Sequence, residues 1–186
     1  MTRLVALSGS LRRGSYNTAL ANGFAELAPE GVVVEVLTPS GIPLYDGDLE
    51  AAEGVPDSVE DLKERIMAAH GLILVTPEYN QGVPGVLKNT IDWLTRPPGD
   101  IKRVFGDRPL ALCGASAGRN GTRAAQYAWL PTLRALGARL WNGGQLYVPS
   151  AGELMDDDGR LVDDSMRERV QRFVDRFSAF AGRDEG

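Results

Sequence analysis

The sequence predicts a doubly wound α/β fold: a five-stranded parallel sheet with helices on both faces, in a single domain spanning residues 1–186. Three observations point there. Short apolar runs alternate in order with longer amphipathic ones, the rhythm of strand–helix–strand units whose strands lie parallel. The run Leu72-Ile73-Leu74-Val75 is apolar at every position, as a strand covered on both faces must be. A chain of 186 residues, 43% of them hydrophobic, is long enough for one sizeable core and too short for two ordinary ones.

Each element follows from local pattern. Leu4-Val5-Ala6-Leu7 is a buried strand and Asn17–Leu27 a helix. The β-branched run from Val32 to Leu37 is a second strand. Residues 38–56 hold Gly and Pro with little periodicity and read as a long loop. Asp57–His70 is the clearest helix, with Val59, Leu62, Ile66 and Ala69 on one face, Asp57 and Glu60 in the role of a capping box, and Gly71 as the stop. Residues 72–75 are the third strand, and a helix runs from Pro84 to about Leu94. Pro109–Cys113 is the fourth strand. A helix from about Thr122 to Leu136 follows, with Pro131 expected to kink it or move its start. A short fifth strand falls near Leu140 or Tyr147, and Met166, Val170, Phe173 and Phe177 mark the last helix.

Composition excludes several classes. A formal net charge of -5 is a poor footprint for nucleic-acid or anionic-membrane binding, so neither is expected as a partner. One Cys forbids an intrachain disulfide, and one His forbids a three-His zinc site; no metal is expected. No apolar run approaches the ~20 residues of a membrane span. The N-terminal apolar stretch is too short for a secretory signal, so a cytoplasmic location is expected.

In a doubly wound sheet, ligands bind beyond the C-terminal strand ends, at the switch point. The loop after the first strand, Ser8-Gly9-Ser10-Leu11-Arg12-Arg13-Gly14-Ser15-Tyr16-Asn17, offers backbone N–H groups, the hydroxyls of Ser10 and Ser15, the Asn17 amide and two guanidiniums at a helix start. That chemistry suits a phosphate. Gly9 and Gly14 have P-loop spacing, but Ser15 and Tyr16 follow where Lys and Ser/Thr belong, and the dinucleotide fingerprint is absent. A monophosphate bound without metal fits better; a polar turn with a Ser or Asn cap accounts for the same residues. The loop after the third strand, Thr76-Pro77-Glu78-Tyr79-Asn80-Gln81-Gly82-Val83-Pro84-Gly85, is stiffened by prolines and carries a stacking-competent Tyr79. A flat ligand would suit it, as would a plain structural turn.

Together the stretches from Gly9 to Asn17 and from Pro77 to Trp93, supported by Ile42-Pro43-Leu44-Tyr45-Asp46, resemble the flavodoxin-like NAD(P)H-dependent FMN reductases, the group that includes quinone and chromate reductases. The likeness runs from Leu4 to about Tyr147. It implies FMN as cofactor, with Ser10, Arg12, Ser15, Tyr16 and Asn17 around its phosphate and Pro77, Glu78, Tyr79 and Asn80 along its ring. The loop from Ala115 to Thr122 closes the other side, with Ser116 and Gly118 as cofactor contacts. Arg119 stands where related sequences often carry small or apolar residues; it faces solvent, or meets a substrate anion or the nicotinamide cofactor's phosphates.

The resemblance further implies NADPH or NADH as hydride donor to flavin N5 and a small-molecule acceptor, a quinone, flavin or oxyanion. Ping-pong kinetics follow from one site serving both substrates, and no protein side chain is named as acid or base. A homodimer or homotetramer is implied as well. The competing reading is a flavodoxin-type FMN electron carrier that does not oxidise NAD(P)H; the paired Arg12 and Arg13 disfavour it. A phospho-receiver domain would need an acceptor Asp where Thr76 stands.

The remaining conspicuous residues have plain readings. His70 complements a helix dipole, and no nucleophile elbow accompanies it. Cys113 is inert core. Asp156-Asp157-Asp158-Gly159 lacks the carboxylates of a calcium loop and is a tight turn. Asp46, Asp48, Glu50 and Glu53 form a solvated acidic face. Tyr127, Trp129 and Trp141 belong to core or interface.

Overall fold

A computed structural model describes residues 1–182. The chain runs β1 (Thr2–Ser8), α1 (Tyr16–Glu26), β2 (Val32–Leu37), α2 (Gly47–Glu53), α3 (Asp57–Met67), β3 (Gly71–Val75) and α4 (Gly85–Leu94). It continues through α5 (Asp100–Val104), β4 (Pro109–Ala115), α6 (Arg123–Ala135), β5 (Arg139–Leu140), β6 (Leu146–Val148), α7 (Ala151–Leu154) and α8 (Asp164–Ala181). The strands lie in the order β2-β1-β3-β4-β5, with β6 also on β4, and every pairing is parallel.

Strand alternation divides the core. Leu4 and Ala6 of β1 and Ile73 and Val75 of β3 point to one face, where Phe24 of α1 and Val170, Phe173 and Phe177 of α8 cover them. Val5, Leu7, Leu72 and Leu74 point to the other, under Ile66, Trp93, Trp129 and Leu133 of α3, α4 and α6. The period-two alternation is invisible in the sequence of these strands because both faces are apolar. Trp129 is therefore core, while Tyr127 is exposed and Trp141 is half-buried.

The fifth position of the sheet is filled by two strands rather than one. β5 pairs with Pro109 and Leu110, and β6 pairs with Cys113 through Ala115. Trp141 still donates its N–H to the Leu110 carbonyl at 2.8 Å, and residues 142–145 then leave the ladder as the Trp141 ring packs against Phe173 and Phe177. A Cβ at Gly143 would stand 2.3 Å from the indole nitrogen, so only glycine lets the backbone pass over that ring.

Residues 38–56 are not loop throughout. Asp46 accepts the Asp48 N–H at 2.8 Å and caps α2. No residue of α2 is buried, so no apolar stripe announced it. Its acidic residues are not merely solvated: Glu50 pairs with Arg96 at 2.8 Å. Pro56, not Asp57, occupies the N-cap of α3, and that helix stops at Met67. His70 lies beyond it, and its Nδ1 accepts the Arg3 N–H at 3.1 Å, so the ring ties the turn after α3 to β1 rather than sitting on a helix end. α6 is continuous through Pro131.

Cys113 is buried in β4, and that burial pushes its thiol well above its ordinary pKa, which keeps it protonated and unreactive. The turn at Asp156 is closed by the Gly159 N–H on the Asp156 carbonyl at 2.9 Å. Among the described residues no helix is long and apolar enough to cross a membrane.

Candidate functional site

Parallel strand order brings the loops after β1, β3 and β4 to one end of the sheet, since β1, β3 and β4 are neighbours. There they enclose a crevice of about 360 Å³ lined by Ser10, Arg12, Ser15, Tyr16 and Asn17, by Pro77, Glu78 and Tyr79, and by Ala115, Ser116 and Ala117. That volume is in the range of ligand clefts, ~300–1,000 Å³. Nine of the eleven residues expected at the site line it. Asn80 and Gly118 do not: Asn80 sits at a hairpin tip, and the Gly118 carbonyl accepts the Ser116 hydroxyl at 3.2 Å and the Ser150 N–H at 3.0 Å.

The β1 end gathers hydrogen-bonding groups around the start of α1. Ser15 caps α1, its Oγ accepting the N–H of Asn17 at 3.2 Å and of Thr18 at 3.4 Å. Ser10 Oγ accepts the Arg12 N–H at 3.3 Å. Both hydroxyls are buried, and their own protons find no acceptor among the described residues. The backbone N–H groups of Gly14 and Tyr16 likewise find none. Unspent donors at a helix N-terminus attract phosphate through hydrogen bonding and the helix dipole together. Arg12 folds over this end, donating to the Gly14 carbonyl at 2.7 Å and lying 5.4 Å from the Tyr16 ring centroid.

Asn17 plays another part than a side-chain ligand. Its amide donates to the Ala115 carbonyl and accepts the Ala115 N–H, both at 2.9 Å, so it fastens the first loop to the end of β4.

The β3 end is a flat wall. Thr76 is buried, donates to the Pro77 carbonyl at 2.8 Å and accepts the Trp129 indole N–H at 3.0 Å. Tyr79 and Gly82 pair across a tight turn in which Asn80 and Gln81 have φ of 51° and 59°. Two successive left-handed residues make a type I′ turn, the form that suits a tight hairpin. Tyr79 remains 48% exposed beside the crevice. The Glu78 carboxylate accepts the N–H groups of Ala124 and Ala125. The two ends are held together at Gly9, where a Cβ would meet Leu87 Cδ2 at 2.6 Å and Pro77 Cδ at 2.9 Å.

Ala115 and Ala117 of the expected closing loop also line the crevice; the sequence did not single them out as contacts, since an alanine wall carries no chemical signature. Arg119 is exposed in the loop after β4, and no carboxylate pairs with it among the described residues.

The set of donors fits a flavin mononucleotide: orphaned hydroxyl and amide protons for a phosphate, and a prolyl–tyrosyl wall for a ring. A family model described as NADPH-dependent FMN reductase matches residues 2–153. The chain is 42% identical over 184 residues to an NAD(P)H-dependent FMN reductase of Pseudomonas aeruginosa, covering 99% of this chain and 97% of that one. It is 36% identical over 178 residues to a 2-hydroxy-1,4-benzoquinone reductase of Burkholderia sp, covering 96% and 95%. Among solved structures, the flavoenzyme NAD(P)H:(acceptor) oxidoreductase FerB from Paracoccus denitrificans superposes with a TM-score of 0.85 at 32% identity, covering 97% of both chains. This chain belongs to the NADPH-dependent FMN reductase family, a group of flavodoxin-like oxidoreductases that use FMN and NAD(P)H.

Proposed function

We propose that the protein oxidises NAD(P)H and passes the electrons to a small acceptor of the quinone type, both substrates using the crevice in turn. The observation that carries this reading is the pairing, in one crevice, of unspent buried donors at the α1 N-terminus with the flat Pro77–Tyr79 wall. The names of the relatives support the acceptor class.

FMN held there would supply a ring that takes up and gives back a hydride. The chain supplies position. Ser10, Ser15, Arg12 and the first amides of α1 hold the phosphate. Asn17 keeps that end in register with Ala115–Ala117. The hairpin wall orients the ring, and its open side leaves room for a nicotinamide and then for the acceptor. Tyr79 belongs to the wall and offers the ring a stacking surface there. The single-domain organisation and a homodimer or homotetramer belong to the same reading; light scattering of the purified protein tests the latter.

The test is a steady-state experiment on FMN-loaded protein with NADPH and benzoquinone. Parallel double-reciprocal lines are expected. Intersecting lines overturn alternation at one site, and an FMN-loaded sample without turnover is an electron carrier instead.

A further inference from the structure

The wall after β3 is fastened to α6 at two points. Deep in the core, Trp129 of α6 donates to Thr76 Oγ1 at 3.0 Å. At the surface, Glu78 Oε2 accepts the N–H of Ala124 at 2.9 Å and of Ala125 at 3.2 Å.

The second fastening supplies something α6 lacks. Its N-cap residue, Thr122, has a left-handed φ of 63° and makes no side-chain cap. Thr122 Oγ1 instead accepts from Gln126 Nε2 at 3.1 Å. The first turn of a helix needs outside acceptors, and a carboxylate there also meets the positive end of the dipole. Glu78, 46 residues earlier in the chain, is the cap.

The hairpin needs the fastening too. Immediately beyond Glu78, Asn80 and Gln81 are both left-handed. Asn tolerates that conformation; Gln gains nothing locally to offset it. Strained turns persist where the surroundings over-determine them.

From these contacts we propose that Glu78 is a positioning residue. By capping α6 from the hairpin, it holds Tyr79 and the Pro77 wall against the ring end of the crevice. Ring affinity depends on it and phosphate affinity does not. The ring assignment rests on the flavin reading above; the clamp itself does not.

Riboflavin, which has the ring without the phosphate, separates the two ends. Glu78→Ala is expected to weaken FMN and riboflavin by the same factor, about tenfold, the worth of one charge-assisted pair of hydrogen bonds. Glu78→Gln keeps an acceptor oxygen and is expected to stay within about threefold of the parent. Hydrogen exchange without flavin should show faster exchange in Glu78→Ala at the amides of Gly82, Ala124 and Ala125, with the amides of α3 unchanged. Parent-like riboflavin binding by Glu78→Ala overturns the positioning role. Parent-like exchange at those three amides overturns the clamp. A parent protein that binds neither flavin sinks the flavin reading, and exchange alone then decides the clamp.

Discussion

The side-chain amide of Asn17 pairs with both backbone groups of Ala115, donating at 2.9 Å and accepting at 2.9 Å. A single residue in the first turn of α1 thus continues the ladder of β4 where no strand could reach, and it does so in the buried floor of the crevice. Asn17→Asp can still accept the Ala115 N–H but cannot donate to its carbonyl. A buried acceptor left without a donor costs about 1–3 kcal/mol. The expected outcome is a drop of that size in unfolding free energy, together with weaker FMN binding. Urea denaturation and flavin titration of Asn17→Asp check both; a variant as stable as the parent would show that the pairing is incidental.

On the proposed reading, Arg12 and Ser15 act at the phosphate end alone. Arg12 is held over Tyr16 and the Gly14 carbonyl, and Ser15 spends its oxygen on the α1 cap while keeping its proton for a ligand. Arg12→Ala should cost FMN affinity about tenfold and leave riboflavin affinity unchanged, because a charge-assisted bond is worth about 1.5–3 kcal/mol. Ser15→Ala should add about 1 kcal/mol of lost helix cap to the same selective effect. Equal losses for both flavins in Arg12→Ala would place the phosphate elsewhere.

How much of this was legible in the sequence depends on where each partner lies. β1, β3 and β4 could be read directly, since the stretches of a strand buried on both faces form continuous apolar runs such as Leu4–Leu7. α2 could not, because it buries nothing and is held by Asp46 and by the Glu50–Arg96 pair. The two loops that make the crevice were recognisable from their residue types. What those residues do was not: Glu78 reaches an amide 46 positions away and Asn17 one 98 positions away. Such partners appear only when the sheet has brought β1, β3 and β4 together. The split of the last strand was equally hidden, for it depends on which way Trp141 turns.

A buried cation outside the crevice is held by two carboxylates and a carbonyl. Lys63 of α3 is fully buried, and its ammonium donates to Asp100 Oδ2 at 2.9 Å, to Glu60 Oε1 at 2.8 Å and to the Arg96 carbonyl. The Lys63 hydrogen bond lowers the Asp100 pKa below its ordinary 3.8; burial opposes the shift, and Arg103 reinforces it. A carboxylate with a depressed folded-state value contributes stability above its unfolded value and loses it as pH falls through the folded one. Asp100→Asn removes the charge and leaves the buried ammonium with less compensation, at a cost of about 3 kcal/mol at neutral pH. The gap between variant and parent should close below the ordinary carboxylate range, as the parent's own Asp100 takes up its proton. Urea midpoints at pH 7, 5 and 3 check this; a gap that stays constant down to pH 3 would rule the pair out as its source.

Gly9 and Gly14 bracket the same loop and should fail for opposite reasons when replaced by alanine. Gly9 sits where a Cβ would press on Leu87 Cδ2 at 2.6 Å and on Pro77 Cδ at 2.9 Å. A methyl there must part the first loop from the wall and from α4, an overpacking cost of about 1–3 kcal/mol. Gly14 has open space around it but a φ of 63°, so Gly14→Ala pays only backbone strain, about 1 kcal/mol. Shortening the obstacle distinguishes them. Leu87→Ala should recover part of the stability lost in Gly9→Ala, because the cavity it opens is where the new methyl lies, and it should recover none of the loss in Gly14→Ala. The double-mutant cycle, read by denaturant midpoint, gives a coupling of about 1 kcal/mol for the first pair and near zero for the second. Zero coupling between Gly9 and Leu87 would mean that the two loops are free to separate, and the crevice would then not depend on their close approach.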